Sequence, residues 1–164
     1  MKKQKGFSLI ELLIVVAIIL IIAAIAIPNL LRSKMAANES SAVGSMRSIN
    51  TAEVTYNTNY PNSGFSATLA NLGGVAPCAV ASTAAACLVD NTLANASAAA
   101  TGKSGYWFTY TPGAAAGGTV NTYTLTGQPV TAGTTGQRGF FTDQTGVIRY
   151  AISGAATVAS SPIQ

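Results

Sequence analysis

The chain has 164 residues, with nine Lys or Arg, five Asp or Glu and no His. That length suits one domain plus an appendage, and the absence of His excludes a His general base or a His-ligated metal. The formal charge of +4 overstates the basic character. Lys2, Lys3 and Lys5 supply three of the bases and the other six face five acids, so no basic face for nucleic acid is left and no sequence-specific nucleic-acid binding is expected.

The first element lies at the N-terminus. From Phe7 to Ile27 the chain reads FSLIELLIVVAIILIIAAIAI, 21 residues with one charge, Glu11, and one other polar side chain, Ser8. As a helix rising about 1.5 Å per residue, the run is long enough for a bilayer core of about 30 Å. The preceding lysines place its N-terminus in the cytoplasm and the rest outside. An ordinary secretory signal peptide, cut at Ala24-Ile25-Ala26, is one competing reading, and a plain signal anchor is another. Neither accounts for Glu11, because an ionisable side chain in a membrane segment is costly and points to a function. A signal peptide also has a shorter apolar core, of about 7–15 residues.

The stretch Lys5-Gly6-Phe7-Ser8-Leu9-Ile10-Glu11-Leu12-Leu13-Ile14-Val15-Val16 resembles the class III signal of type IV prepilins and pseudopilins. The resemblance is specific, since the basic leader, the Gly-Phe junction, the placed glutamate and the unbroken apolar run occur together; it covers about the first 30 residues. It implies that a membrane prepilin peptidase cuts after Gly6 and methylates the new amine on Phe7. It implies that Glu11, fifth in the mature chain, assists assembly, and Pro28 after the run fits the same pattern. A cut after Gly6 retains the apolar run, which anchors the subunit before assembly and forms a filament core afterwards. Glycine at the cut lets a protease approach the backbone closely.

Pro28 has no backbone N–H and is expected to kink or locally open the helix. Residues 29–60 form its amphipathic half: Ala42, Met46, Ile49, Ala52, Tyr56 and Tyr60 recur at spacings of three and four, while Ser48, Asn50, Thr51, Thr55 and Asn57 fall largely on the other side. Such a stripe is a packing face before it is a binding site, and it should lie against a sheet. Tyr60-Pro61-Asn62-Ser63-Gly64 ends the helix with turn formers.

Residues 61–105 make a connecting loop, rich in Ala and Asn, that holds Cys78 and Cys87. Two cysteines in an exported domain imply one disulfide, and closing a loop of about ten residues stabilises by roughly 2–3 kcal/mol. In many pilins the disulfide instead brackets a C-terminal loop, and this chain departs from that pattern, so the resemblance gives no ground for carrying over the family's C-terminal surface functions. Residues 106–164 hold the strands and a tail. Tyr106–Thr111 is aromatic and β-branched and is stopped by Pro112-Gly113. Val120–Thr126 alternates, and Gly139–Thr142 and Val147–Ile152 bracket Asp143-Gln144-Thr145-Gly146, a hairpin turn. The tail from Gly154 shows little pattern.

Other motifs carry little chemistry. Thr101-Gly102-Lys103-Ser104 matches the end of a phosphate-binding loop, but Ser97 stands where the pattern needs glycine, so a polar loop accounts for it better. Asp90 and Asp143 are isolated, too few for a calcium cage. Asn38-Glu39-Ser40 and Asn95-Ala96-Ser97 match a glycosylation tripeptide that arises often by chance. Tyr56, Tyr60, Tyr106, Trp107 and Phe108 are expected in packing rather than in a stacking platform. With no catalytic constellation, no metal ligand set and no cofactor motif, an enzyme is not expected.

The expected fold is α+β: a long N-terminal helix, transmembrane then amphipathic, packed on a small antiparallel sheet in a pilin-like ladle. The expected parts are a cleaved leader at 1–6, an assembly helix at 7–28, its amphipathic half at 29–60, the connector at 61–105, and sheet and tail at 106–164. The resemblance implies a structural pilin of an extracellular type IV pilus serving adhesion, motility or DNA uptake. Its partners would be copies of itself in a helical filament, the prepilin peptidase and an inner-membrane assembly platform. The chain would sit in the inner membrane before assembly and at the cell surface after it. A pseudopilin of a type II secretion system is the alternative, and a signal-anchored binding module is a third.

Overall fold

The computed structural model describes residues 7–75, 77–78 and 80–163. The leader, including the expected cut at Gly6, lies outside the described residues. Helix α1 spans Leu9–Asn59 and contains Pro28. The chain divides into two compact units, residues 1–34 and 35–164, each described by itself.

In the first unit every large apolar side chain from Phe7 to Leu31 is exposed. This part of α1 is the one helix among the described residues long and apolar enough to cross a membrane. An apolar surface that finds no partner within its own chain must be covered by lipid or by other chains.

The second unit is an α+β domain. Its sheet has five strands in the order β1-β4-β5-β6-β7, all neighbours antiparallel: β1 Tyr106–Pro112, β4 Tyr123–Pro129, β5 Gly139–Asp143, β6 Arg149–Ala151 and β7 Ser161–Pro162. Two short strands, β2 Ala115–Ala116 and β3 Thr119–Val120, pair as a separate hairpin. The period-2 alternation of β1 and β4 puts Tyr106, Phe108, Tyr123 and Leu125 on the buried face.

Ala42, Met46, Ile49, Ala52 and Tyr56 of α1 are buried in the same core cluster as Phe108, Leu125 and Phe140, so the amphipathic stripe does pack on an antiparallel sheet. Each large side chain so buried contributes about 1.5–3 kcal/mol. Gly127 makes the approach possible: a Cβ there would stand 3.1 Å from the ring of Phe108, its cross-strand partner, and 3.4 Å from Met46 Sδ.

Several local expectations change in detail. The alternating run 120–126 is divided between β3 and β4, because Val120 turns away to pair with the helix exit. Its N–H donates to Ser63 O and its carbonyl accepts from the Phe65 N–H. Gly64, at φ +73°, sits against that carbonyl where no side chain fits. Strand β6 keeps only three of the six residues expected at 147–152. The tail is not patternless: β7 pairs with β6, and Ala156 is buried.

The connector carries core as well. Short 3-10 turns at Leu69–Leu72 and Ala99–Thr101 and helix α2 (Asn91–Ala94) bury Leu69, Leu72, Leu93 and Ala94. Cys78 and Cys87 are joined in a disulfide with Cα atoms 6.3 Å apart. The loop it closes is pinned by the carbonyl of Thr83, which accepts from Tyr56 on α1 at 2.8 Å and from Asn71 Nδ2 at 2.8 Å.

Candidate functional site

The candidate assembly site is the start of α1. Phe7 and Ser8 are non-helical, and Phe7 is 82% exposed. Ser8 occupies the N-cap position: its carbonyl accepts the first helical bond, from Leu12 N at 3.2 Å. Glu11 stands three residues on, and its Oε2 accepts the Ser8 N–H at 2.9 Å. That contact is half of a capping box, which satisfies an otherwise orphan donor and places a negative charge on the positive end of the helix. Its sequence signal is Ser8-Leu9-Ile10-Glu11, a serine followed three residues later by glutamate at the head of an apolar run. Glu11 therefore has a local task, fixing where the helix begins, two residues after Phe7.

Two more of the five acids lie on α1 and are buried. Glu39 accepts the N–H groups of Gln137 at 2.9 Å and Arg138 at 3.1 Å, and pairs with Arg138 Nε at 2.7 Å. Burial pushes its carboxyl up, but the three donors and the guanidinium charge outweigh it and hold it below the usual carboxylate range. Glu39 thus ties the helix to the strand entering β5. Glu53 is fully buried, and its carboxylate oxygens meet Ser66 N at 3.0 Å and Ser66 Oγ at 2.5 Å. Burial pushes its carboxyl up, and the hydrogen bonds from Ser66 do not compensate.

Asn50, expected on the polar face, is a third tie. Its Nδ2 donates to Thr142 Oγ1 at 3.0 Å, and its Oδ1 accepts from the Tyr123 hydroxyl at 3.0 Å.

The remaining candidates have structural roles. Lys103, of the loop resembling a phosphate-binding sequence, pairs with Asp90 at 2.7 Å. Asp90 caps α2 through the Leu93 N–H at 2.9 Å. The Lys103 contact holds its carboxyl below the usual range. Asp143 caps its own turn through Thr145 N at 2.9 Å. Asn95 donates to Asn91 O at 2.8 Å within α2 and its cap. No group of three His, Cys, Asp or Glu is brought together among the described residues.

Residues 1–27 match the family model described as the prokaryotic N-terminal methylation motif. The chain carries that motif. Over 40 residues the chain is 60% identical to the type IV wide pilus major component PilA4 of Thermus thermophilus, covering 24% of this chain and 30% of that protein. It is 44% identical over 54 residues to the type IV major pilin protein PilA of Myxococcus xanthus, covering 33% of this chain and 24% of that one. The matches thus span less than a third of either relative's length. No solved structure matches the chain at a significant level.

Proposed function

We propose that this chain is a structural subunit of an extracellular type IV pilus, assembled through its N-terminal helix and serving adhesion, motility or DNA uptake rather than catalysis. The observation that carries the reading is an exposed apolar helix with Glu11 in its first turn, beginning one N-cap residue after the non-helical Phe7. The methylation-motif match over residues 1–27 and the chain's partial identity to named pilus components support it.

In this reading the prepilin peptidase cuts between Gly6 and Phe7 and methylates the Phe7 amine. The helix holds the subunit in the inner membrane until an assembly platform transfers it into the filament, where copies of the same helix cover one another. The Glu11 carboxylate pairs with the Phe7 amine of a neighbouring copy during entry, because a carboxylate left in hydrocarbon loses solvation that only a close opposite charge recovers. The lone Pro28, without an N–H for the helical ladder, supplies a local opening behind the apolar run.

Shearing cells tests the proposal: the chain should dominate the released filaments. Retention of all of it in the membrane fraction would instead favour a secretion pseudopilin or a simply anchored module.

A further inference from the structure

Among the described residues, no cation offsets Glu53. The elements packed against it present only Tyr56 from α1 itself, Tyr110 from β1, Tyr123 from β4, and Ser66 from the segment after the helix exit. Glu53 and Ser66 are both 0% exposed. A carboxylate so enclosed would lose its solvation with no nearby opposite charge to recover it.

Ser66 has too few protons to serve an ionised Glu53. Ser66 Oγ lies 2.5 Å from Glu53 Oε1 and 3.0 Å from Thr68 O. A hydroxyl has one proton to donate, so an ionised Glu53 would leave one of these oxygen pairs with no hydrogen between them. If Glu53 carries a proton, its Oε1–H donates to Ser66 Oγ, Ser66 Oγ–H donates to Thr68 O, and Oε2 still accepts the Ser66 N–H at 3.0 Å. The chain of bonds is then complete, with no buried charge. Tyr110 closes the far side by donating its hydroxyl to Ser66 O at 2.9 Å.

We propose that Glu53 is held as the neutral acid at neutral pH and forms a pH-operated latch: its ionisation releases residues 63–68 from α1 and loosens the β-rich unit. A folded-state value above the unfolded one has a definite sign. The stabilisation is complete below the unfolded value, near 4.5, and is lost as pH rises towards the folded value, by at most about tenfold in the folded-to-unfolded ratio per pH unit. The chain has no His, so no other unperturbed side chain titrates between about pH 5.5 and 8.

The experiment is guanidinium unfolding of the full chain in detergent micelles between pH 5.5 and 8, read by the single tryptophan, Trp107. Wild type should lose stability steadily as pH rises. Glu53→Gln, whose amide reproduces the donor and acceptor of the neutral acid, should match wild type at pH 5.5 and stay flat. An unchanged slope in Glu53→Gln, or a flat wild type, overturns the proposal. Infrared spectra in a Glu11→Gln background give a second reading that does not depend on Glu53→Gln folding. The carbonyl band of a protonated carboxylic acid should be present at pH 7 and vanish at alkaline pH; its absence at pH 7 overturns the proposal.

Discussion

Residues 9–34 and residues 35–163 solve opposite problems with one kind of element. Both contain α-helix. In the first the large apolar side chains through Leu31 are exposed and one acid, Glu11, sits at the very start. In the second a single stripe is buried, and two acids, Glu39 and Glu53, lie inside the contact. The difference teaches where each helix finds its partner. A helix apolar all round has no preferred side and must be surrounded by lipid or by several other helices. A helix with one stripe needs one sheet, and its buried carboxyls select register because each demands specific donors.

Removing the first region should have the largest effect. A chain beginning at Asn29 is expected to be soluble and to form no filaments, because both anchoring and mutual coverage lie upstream. Electron microscopy and sedimentation check this, and filaments from that chain would break the comparison. Glu11→Gln sharpens it. That variant should be exported, cleaved and membrane-retained, with the unfolding of residues 35–163 unchanged, yet yield few sheared filaments relative to its membrane pool.

Changes in the second region should move stability first. Replacing Cys78 and Cys87 by Ala should cost roughly 2–3 kcal/mol, read as a lower denaturation midpoint, and peptide mapping without reduction should show the linked pair in wild type. The smaller effect is at Glu39. Its folded-state value lies below the unfolded one near 4.5, so its stabilisation is present above that value and is lost as pH falls through the lowered one. Glu39→Gln should cost about 1–3 kcal/mol at neutral pH and flatten the acid limb of the stability profile. An unaltered acid limb would remove Glu39 from the account.

Much of this was legible in the sequence. The uninterrupted apolar run, the three-and-four spacing from Ala42 to Tyr56 and the aromatic β1 each follow one period strongly, and period is what a single sequence displays best. The buried carboxyls were legible too but were not read. Glu39, Ala42, Met46, Ile49, Glu53, Tyr56 and Tyr60 continue one alternation of three and four, so the same stripe that predicts burial of Met46 predicts burial of Glu53. The capping role of Glu11 was likewise written in Ser8-Leu9-Ile10-Glu11. What could not be read was long-range. Gln137 and Arg138 reach Glu39 across about a hundred residues of chain, and the division of 120–126 depends on the helix exit arriving beside Val120. The connector was opaque because its core residues, Leu69, Leu72 and Leu93, sit in turns too short for a periodic pattern.

The central claim is that the apolar helix is retained and carries the subunit into a filament. The intact mass of this chain in sheared filaments tests that most directly. The account predicts a chain beginning at Phe7 with a methylated amine and a closed disulfide. A mature chain beginning at Ile27, after a cut behind Ala26, would contradict it, because the helix that the filament requires would have been discarded.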